Sequence, residues 1–141
     1  MIDWDISLKD VIISLSKKQD QKTLVTWACD CAEHVLPYFQ EKYPEDNRPK
    51  KAIEAGHAWV RGEIKVGEAR KAAFATHTAA RNASQDNESE ACFVARSAGH
   101  AVATVHVVGH AIHAVAYAVK ATSDKVKEQK WQYKRLLSLV K

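Results

Sequence analysis

Three histidines in the string HVVGHAIH, His106, His110 and His113, stand four and three residues apart. On a continuous α-helix that spacing stacks side chains on one face. It is also a spacing at which imidazoles can share a metal ion or relay a proton. A stable zinc site wants three or four protein ligands, and each ligating histidine wants a partner for its second ring nitrogen. The HExxH arrangement needs a glutamate after the first histidine, and Val107 stands there instead. No acidic residue occurs between Glu90 and Asp124, so a carboxylate ligand or general base has to come from elsewhere in the fold. His106, His110 and His113 are therefore the metal-ligand candidates, and a metal-binding protein or metal-dependent enzyme built on them is one reading. The favoured reading makes them neutral histidines knitting helices together, with no metal and no cofactor. Thr76, Thr78 and Thr104 are then the hydroxyl partners expected for them.

Other chemistry is sparser. Cys29 and Cys31 are two apart, so they do not face each other on a helix and do not form a CxxC. His34 follows Cys31 by three residues, a spacing at which a nucleophile and base can touch, but no oxyanion donor accompanies them. Small buried thiols are the default for such cysteines. No glycine-rich phosphate loop, GxSxG or close pair of acids stands out, so no catalytic residues are assigned and the chain reads as a non-enzyme.

The elements that must position these side chains are all helical. Alanine is abundant, prolines number 3 and glycines 5, and no segment alternates as a strand does. Ser7 is expected to cap a first helix with Leu8, Val11, Ile12 and Leu15 inward. Asp20 caps a second, lined by Leu24, Trp27, Cys31, Val35 and Tyr38, in which Pro37 either kinks the helix or ends it and starts another turn. A third opens at Asp46 or Asn47, with Pro49 in its first turn, and stops at Gly62. A fourth presents Ala69, Ala72, Ala73, Ala80 and Ala83, small enough for helix axes to approach closely. The segment 88–122 is apolar on nearly every side, hence buried. As one rod it would span about 50 Å, against a diameter of roughly 37 Å for a compact chain of this length. A break near 103–107 is therefore predicted, where Thr104 and Val105 are β-branched. Ser123 is expected to cap the last helix, with Val126, Trp131, Leu136 and Leu137 inward. The architecture implied is all-α: one domain over 1–141, a bundle or stack of helical hairpins with about six to seven helices.

Charge is unevenly spread. The net charge of +4 divides into −4 over 1–46, +5 over 47–81, −1 over 82–122 and +4 over 123–141. The basic segments 48–71 and 125–135 define a nucleic-acid-binding module as a further alternative, through Arg48, Lys50, Lys51, Arg61, Lys65, Arg70 and Lys71. Trp59 falls on the apolar stripe among them and offers no stacking platform, so a solvated helix surface is favoured. Polar residues interrupt the run from Ala91 to Val119, so no membrane span is expected. The opening MIDWDISLKD lacks the regions of a signal peptide, and the three cysteines are an odd number; both point to reduced thiols in a cytoplasm.

The blocks WACDCAEHVLPYF, EDNRPKKAIEAGHAWVRGEI, ARKAAFATHTAAR, ARSAGHAVATVHVVGHAIHAVAYAVKA and WQYKRL, in this order and spacing, resemble the immunity-protein family of bacterial polymorphic toxin systems. The resemblance runs from about Thr23 to Leu137 and leaves the first 22 residues outside. It implies a small, helical, non-enzymatic protein that binds and neutralises a cognate toxin, and it brings no catalytic or metal residues with it. Inhibitors of basic nucleases are usually acidic, so a nuclease target would have to meet the acidic 1–46 region. The 48–71 region and the outer side of the first two helices are the candidate surfaces, with Trp4, Tyr38, Tyr43 and Trp131 as candidate anchors. A homodimer is also compatible with the apolar content.

Overall fold

The computed structural model describes residues 6–140. Trp4 lies outside them. Among the described residues there are seven helices and no strand: α1 (Ile6–Ser16), α2 (Gln21–Lys42), α3 (Arg48–Val60), α4 (Val66–Gln85), α5 (Ser89–Ala103), α6 (His110–Lys120) and α7 (Lys125–Leu139). The fold is all-α, as the periodicity implies. None of these helices is long and apolar enough to cross a membrane.

The core is built from small side chains. In α5, Ala91, Ala95, Ala98 and Ala101 are fully buried with Val94 and Val102. This lets α5 sit at the centre, packed against α2, α3, α4 and α6. Helices α4, α5 and α6 lie side by side, α5 in the middle, and α2 and α3 back them. Ser97 Oγ donates to the Ala114 carbonyl at 2.7 Å and pins α5 to α6. Trp27 and Phe39 of α2 are the largest buried aromatics.

The predicted break is real and sits slightly later than expected. α5 ends at Ala103 and α6 begins at His110, with turns between them. The Thr104 and Val105 carbonyls, which no helix continues to satisfy, accept from Gln21 Nε2 at 3.1 and 2.7 Å. Gln21 opens α2, so one side chain at the start of one helix closes the end of another.

Several boundaries follow the sequence. Asp20 Oδ1 accepts from the Thr23 amide at 2.8 Å and caps α2. Gly62, at φ 77°, ends α3 in the left-handed conformation that L side chains resist. Others need correction. Ser7 lies inside α1 rather than at its cap. Val11 is 46% exposed, so the inward stripe of α1 omits it. Tyr38 turns outward from α2, and Ala72 is only half-buried. Pro37 does not end α2, which runs on to Lys42. The carbonyl that loses its donor there belongs to Glu33, an exposed residue.

The largest departure is α7. Its cap is Asp124, which accepts from the Lys127 amide at 3.1 Å, not Ser123. Its buried stripe is Glu128, Gln129, Gln132 and Leu136, while Leu137 is exposed and Val126 and Trp131 are half-buried. Polar residues face in because α7 meets groups that need partners. Gln132 Nε2 donates to the Val115 carbonyl at 2.9 Å, and the Gln132 carbonyl accepts from Trp27 Nε1 at 3.0 Å.

Candidate functional site

The break decides how the histidines meet. His106 falls in the turn, so it does not share a helix face with His110 and His113, as an unbroken helix would have it. The turn folds it back beside His110, ring centroids 6.4 Å apart. His110 and His113 are 6.3 Å apart on α6. Two histidines the sequence reading passed over complete the group: His100 on α5 and His77 on α4. His100 is the hub, 5.1 Å from His110, 5.3 Å from His113 and 5.2 Å from His77. Tyr117 stacks on it at 5.5 Å. The missed signal was long-range: His77 and His100 become neighbours only because α4 and α5 form an antiparallel hairpin around the QDNES turn.

The threonines do not serve these rings. Thr76 donates to the Arg48 carbonyl, Thr78 to Phe74 and Thr104 to His100, all backbone oxygens. The rings bond to one another and to an arginine. His100 Nδ1 and His110 Nδ1 are 2.9 Å apart, so one is the protonated donor and the other the acceptor. Arg96 Nη1 lies 2.8 Å from His77 Nδ1. A guanidinium can only donate, so His77 is neutral and carries its hydrogen on Nε2. Gly99 makes room for this ring: a Cβ there would stand 2.6 Å from His77 Cε1. His106 Nδ1 is buried with no hydrogen-bond partner among the described residues.

Electrostatics follow the geometry. Burial, and then the Arg96 charge, pull His77 down to about 4. Burial and the neighbouring His77, His110 and His113 pull His100 down to about 4 as well. His106 and His110 also lie below their ordinary value, again through burial first. No carboxylate figures among the causes for any of the four.

The residues able to ligate a metal together lie elsewhere. Among the described residues, Asp30, Glu33 and His57 bring one ligand atom each to within 4.8 Å of one another. Arg135 already holds Asp30 Oδ2 at 2.7 Å, placing a fixed positive charge beside that group. Next to it an open cleft of about 680 Å³ lies between α2 and α7, lined by His34, Trp131 and Arg135 among others. His34 stacks on Trp131 with centroids 3.8 Å apart, and its Nδ1 bonds Glu128 Oε2 at 2.7 Å. Both contacts go to α7 rather than to Cys31. Burial pushes the Cys29 and Cys31 thiols well above their ordinary value, the neighbouring carboxylates adding to it.

The basic segments are partly spent internally. Arg48 forks onto Asp46 at 2.7 and 2.9 Å, Arg61 onto Glu63, and Arg135 onto Asp30. Trp59 packs half-buried against the core, as its stripe implies. Of the candidate anchors, Tyr38 is 40% exposed, Trp131 is stacked and half-buried, and the Tyr43 hydroxyl donates to Asp86 at 2.7 Å.

Fold and site together define an all-helical protein in which His77, His100, His106, His110 and His113 are gathered from α4, α5, α6 and the turn between α5 and α6. The model of the family described as Imm-5 like putative immunity protein matches residues 14–139, and the chain belongs to that family. The match begins inside α1, nine residues before Thr23, near which the resemblance begins. No curated protein and no solved structure matches the chain.

Proposed function

We propose that this chain is a single-domain, non-enzymatic immunity protein that binds a cognate bacterial toxin and neutralises it in the cytoplasm of the cell that makes both. Membership of the immunity family over residues 14–139 carries the reading. The fold suits it: a rigid, alanine-packed core presents outward-facing side chains on fixed helices, which lowers the ordering cost of binding. An interface of about 800 Å² per partner fits on one face of such a molecule.

The experiment uses the toxin domain encoded beside this gene. The expected result is a one-to-one complex surviving size-exclusion chromatography, with toxin activity abolished at equimolar protein. Undiminished toxin activity in excess of this chain overturns the proposal.

A further inference from the structure

Each of three adjacent helices carries one stripe of aromatic, imidazole and cationic side chains. On α4 the residues Arg70, Phe74, His77 and Arg81 recur at spacings of four, three and four. On α5, Phe93, Arg96 and His100 do so at three and four, and on α6, His110, His113, Tyr117 and Lys120 at three, four and three. Helical spacing puts each set on one side of its helix. Ring contacts join the three stripes into one face: His77 to His100, His100 to His110, and Phe93 to Tyr117 at 6.1 Å. Lys120 lies 5.0 Å from the Tyr117 ring.

Two properties set this face apart. It has no negative charge of its own: no Asp or Glu occurs from Ala69 to Gln85 or from Ala91 to Ser123. Elsewhere the arginines are matched, as at Asp46–Arg48, Arg61–Glu63 and Asp30–Arg135. Here Arg96 instead meets an imidazole. The face also exposes large apolar groups beside its cations. Phe74 is 68% exposed, and Val107 and Val108 in the adjoining turn are 53% and 48% exposed. Arginine with aromatic rings around a dry centre is the composition of binding hot spots.

We infer that the α4–α5–α6 face is the docking surface for an acidic patch of a protein partner, whose carboxylates enter among His77, His100 and His110. This rests on the reading of the chain as a toxin-binding immunity protein and moves its interface away from the 48–71 segment and the first two helices. Charge complementarity names the occupant: a carboxylate supplies the negative charge that this face lacks, opposite an Arg96 guanidinium whose Nη1 meets only the neutral acceptor His77 Nδ1. Four permanent cations spread among imidazole and aromatic rings and valines favour a protein over a nucleic acid, whose backbone demands a denser cationic track.

The test maps binding by amide and imidazole NMR on the intact chain, using three separate probes: the toxin domain encoded alongside, poly-L-glutamate and a short DNA duplex. The toxin and poly-L-glutamate are expected to shift the same signals, those of α4–α6. Arg70→Glu combined with Phe74→Glu changes two exposed residues and leaves the core untouched. It is expected to weaken toxin binding by at least about tenfold, as loss of a hot-spot contact does. Lys18→Glu, in the α1–α2 turn, is expected to have no effect. Toxin binding that ignores Arg70→Glu/Phe74→Glu removes this surface while the immunity reading stands. A toxin that binds nowhere removes the immunity reading, and poly-L-glutamate then decides the face: silent α4–α6 signals overturn it. DNA binding there more tightly than poly-L-glutamate also overturns it, in favour of a nucleic-acid partner.

Discussion

A histidine that accepts a hydrogen bond from a guanidinium has committed the lone pair that would take a proton. That is the position of His77, 2.8 Å from Arg96. His100 is crowded by three other imidazoles. Both are held at about 4, chiefly by burial, whereas in the unfolded chain they titrate near their ordinary 6.5. The sign of the linkage follows. Between these values the unfolded chain binds protons that the folded chain refuses, so stability falls as pH falls. The contribution is fully present above 6.5 and is lost progressively toward 4. Thermal melts should therefore show Tm dropping from about pH 7 to about pH 4.5, with uptake of about two protons on unfolding. His100→Gln, which cannot take a proton, should flatten that slope. A wild-type slope no steeper than the variant's contradicts the assignment.

At the scale of the element, the α5–α6 break is the feature on which the site depends, and it was only half legible. Length and burial alone required it, because an apolar rod over 88–122 outruns the molecule. What closes it was not visible: Gln21 is distant in sequence, and nothing in its local context marks it as a cap. Its two bonds satisfy the carbonyls of Thr104 and Val105, residues 0% and 2% exposed. Gln21→Ala leaves both buried oxygens bare and should cost about 1–3 kcal/mol. It should also loosen His106, one residue further on. Urea melts measure the first and the His106 imidazole line width the second; an unchanged midpoint shows that water replaces the cap. The helices, their order and the alanine core were legible because periodicity and composition are local. The register of α7 was not. Its buried Gln129 and Gln132 look solvent-facing by hydropathy, and for Gln132 it is the distant Val115 carbonyl, accepting from its side-chain amide, that makes it an inward residue. The histidine cluster was legible as three of its five members, because the other two arrive on separate helices.

Across the whole molecule, apolar packing is concentrated in one part, and polar bonding carries more of the other. Helices α2 to α6 enclose the core through fully buried Ala, Val and aromatic side chains. Helices α1 and α7 lie at the edge, touching each other; they give the core Ile12 and Leu136, and α7 is further attached to α2 and α6 by polar bonds from Trp27, Gln132, Arg135 and Glu128. Net hydrogen-bond contributions are about 1 kcal/mol each, whereas burying a large apolar side chain is worth about 1.5–3 kcal/mol. The α1–α7 pair should therefore open before the rest. Opening is resisted, because it strips Trp27 Nε1 and the Val115 carbonyl of their partners. Native-state hydrogen exchange across low guanidinium concentrations should place α7 amides, and those of α1, in a sub-global unit below the global free energy, with α2, α4 and α5 exchanging only on complete unfolding. The docking face sits wholly on the more stable part, so a partner would meet helices already fixed in place. If α7 amides exchange only with global unfolding, the polar attachment is as strong as the alanine core and the division fails.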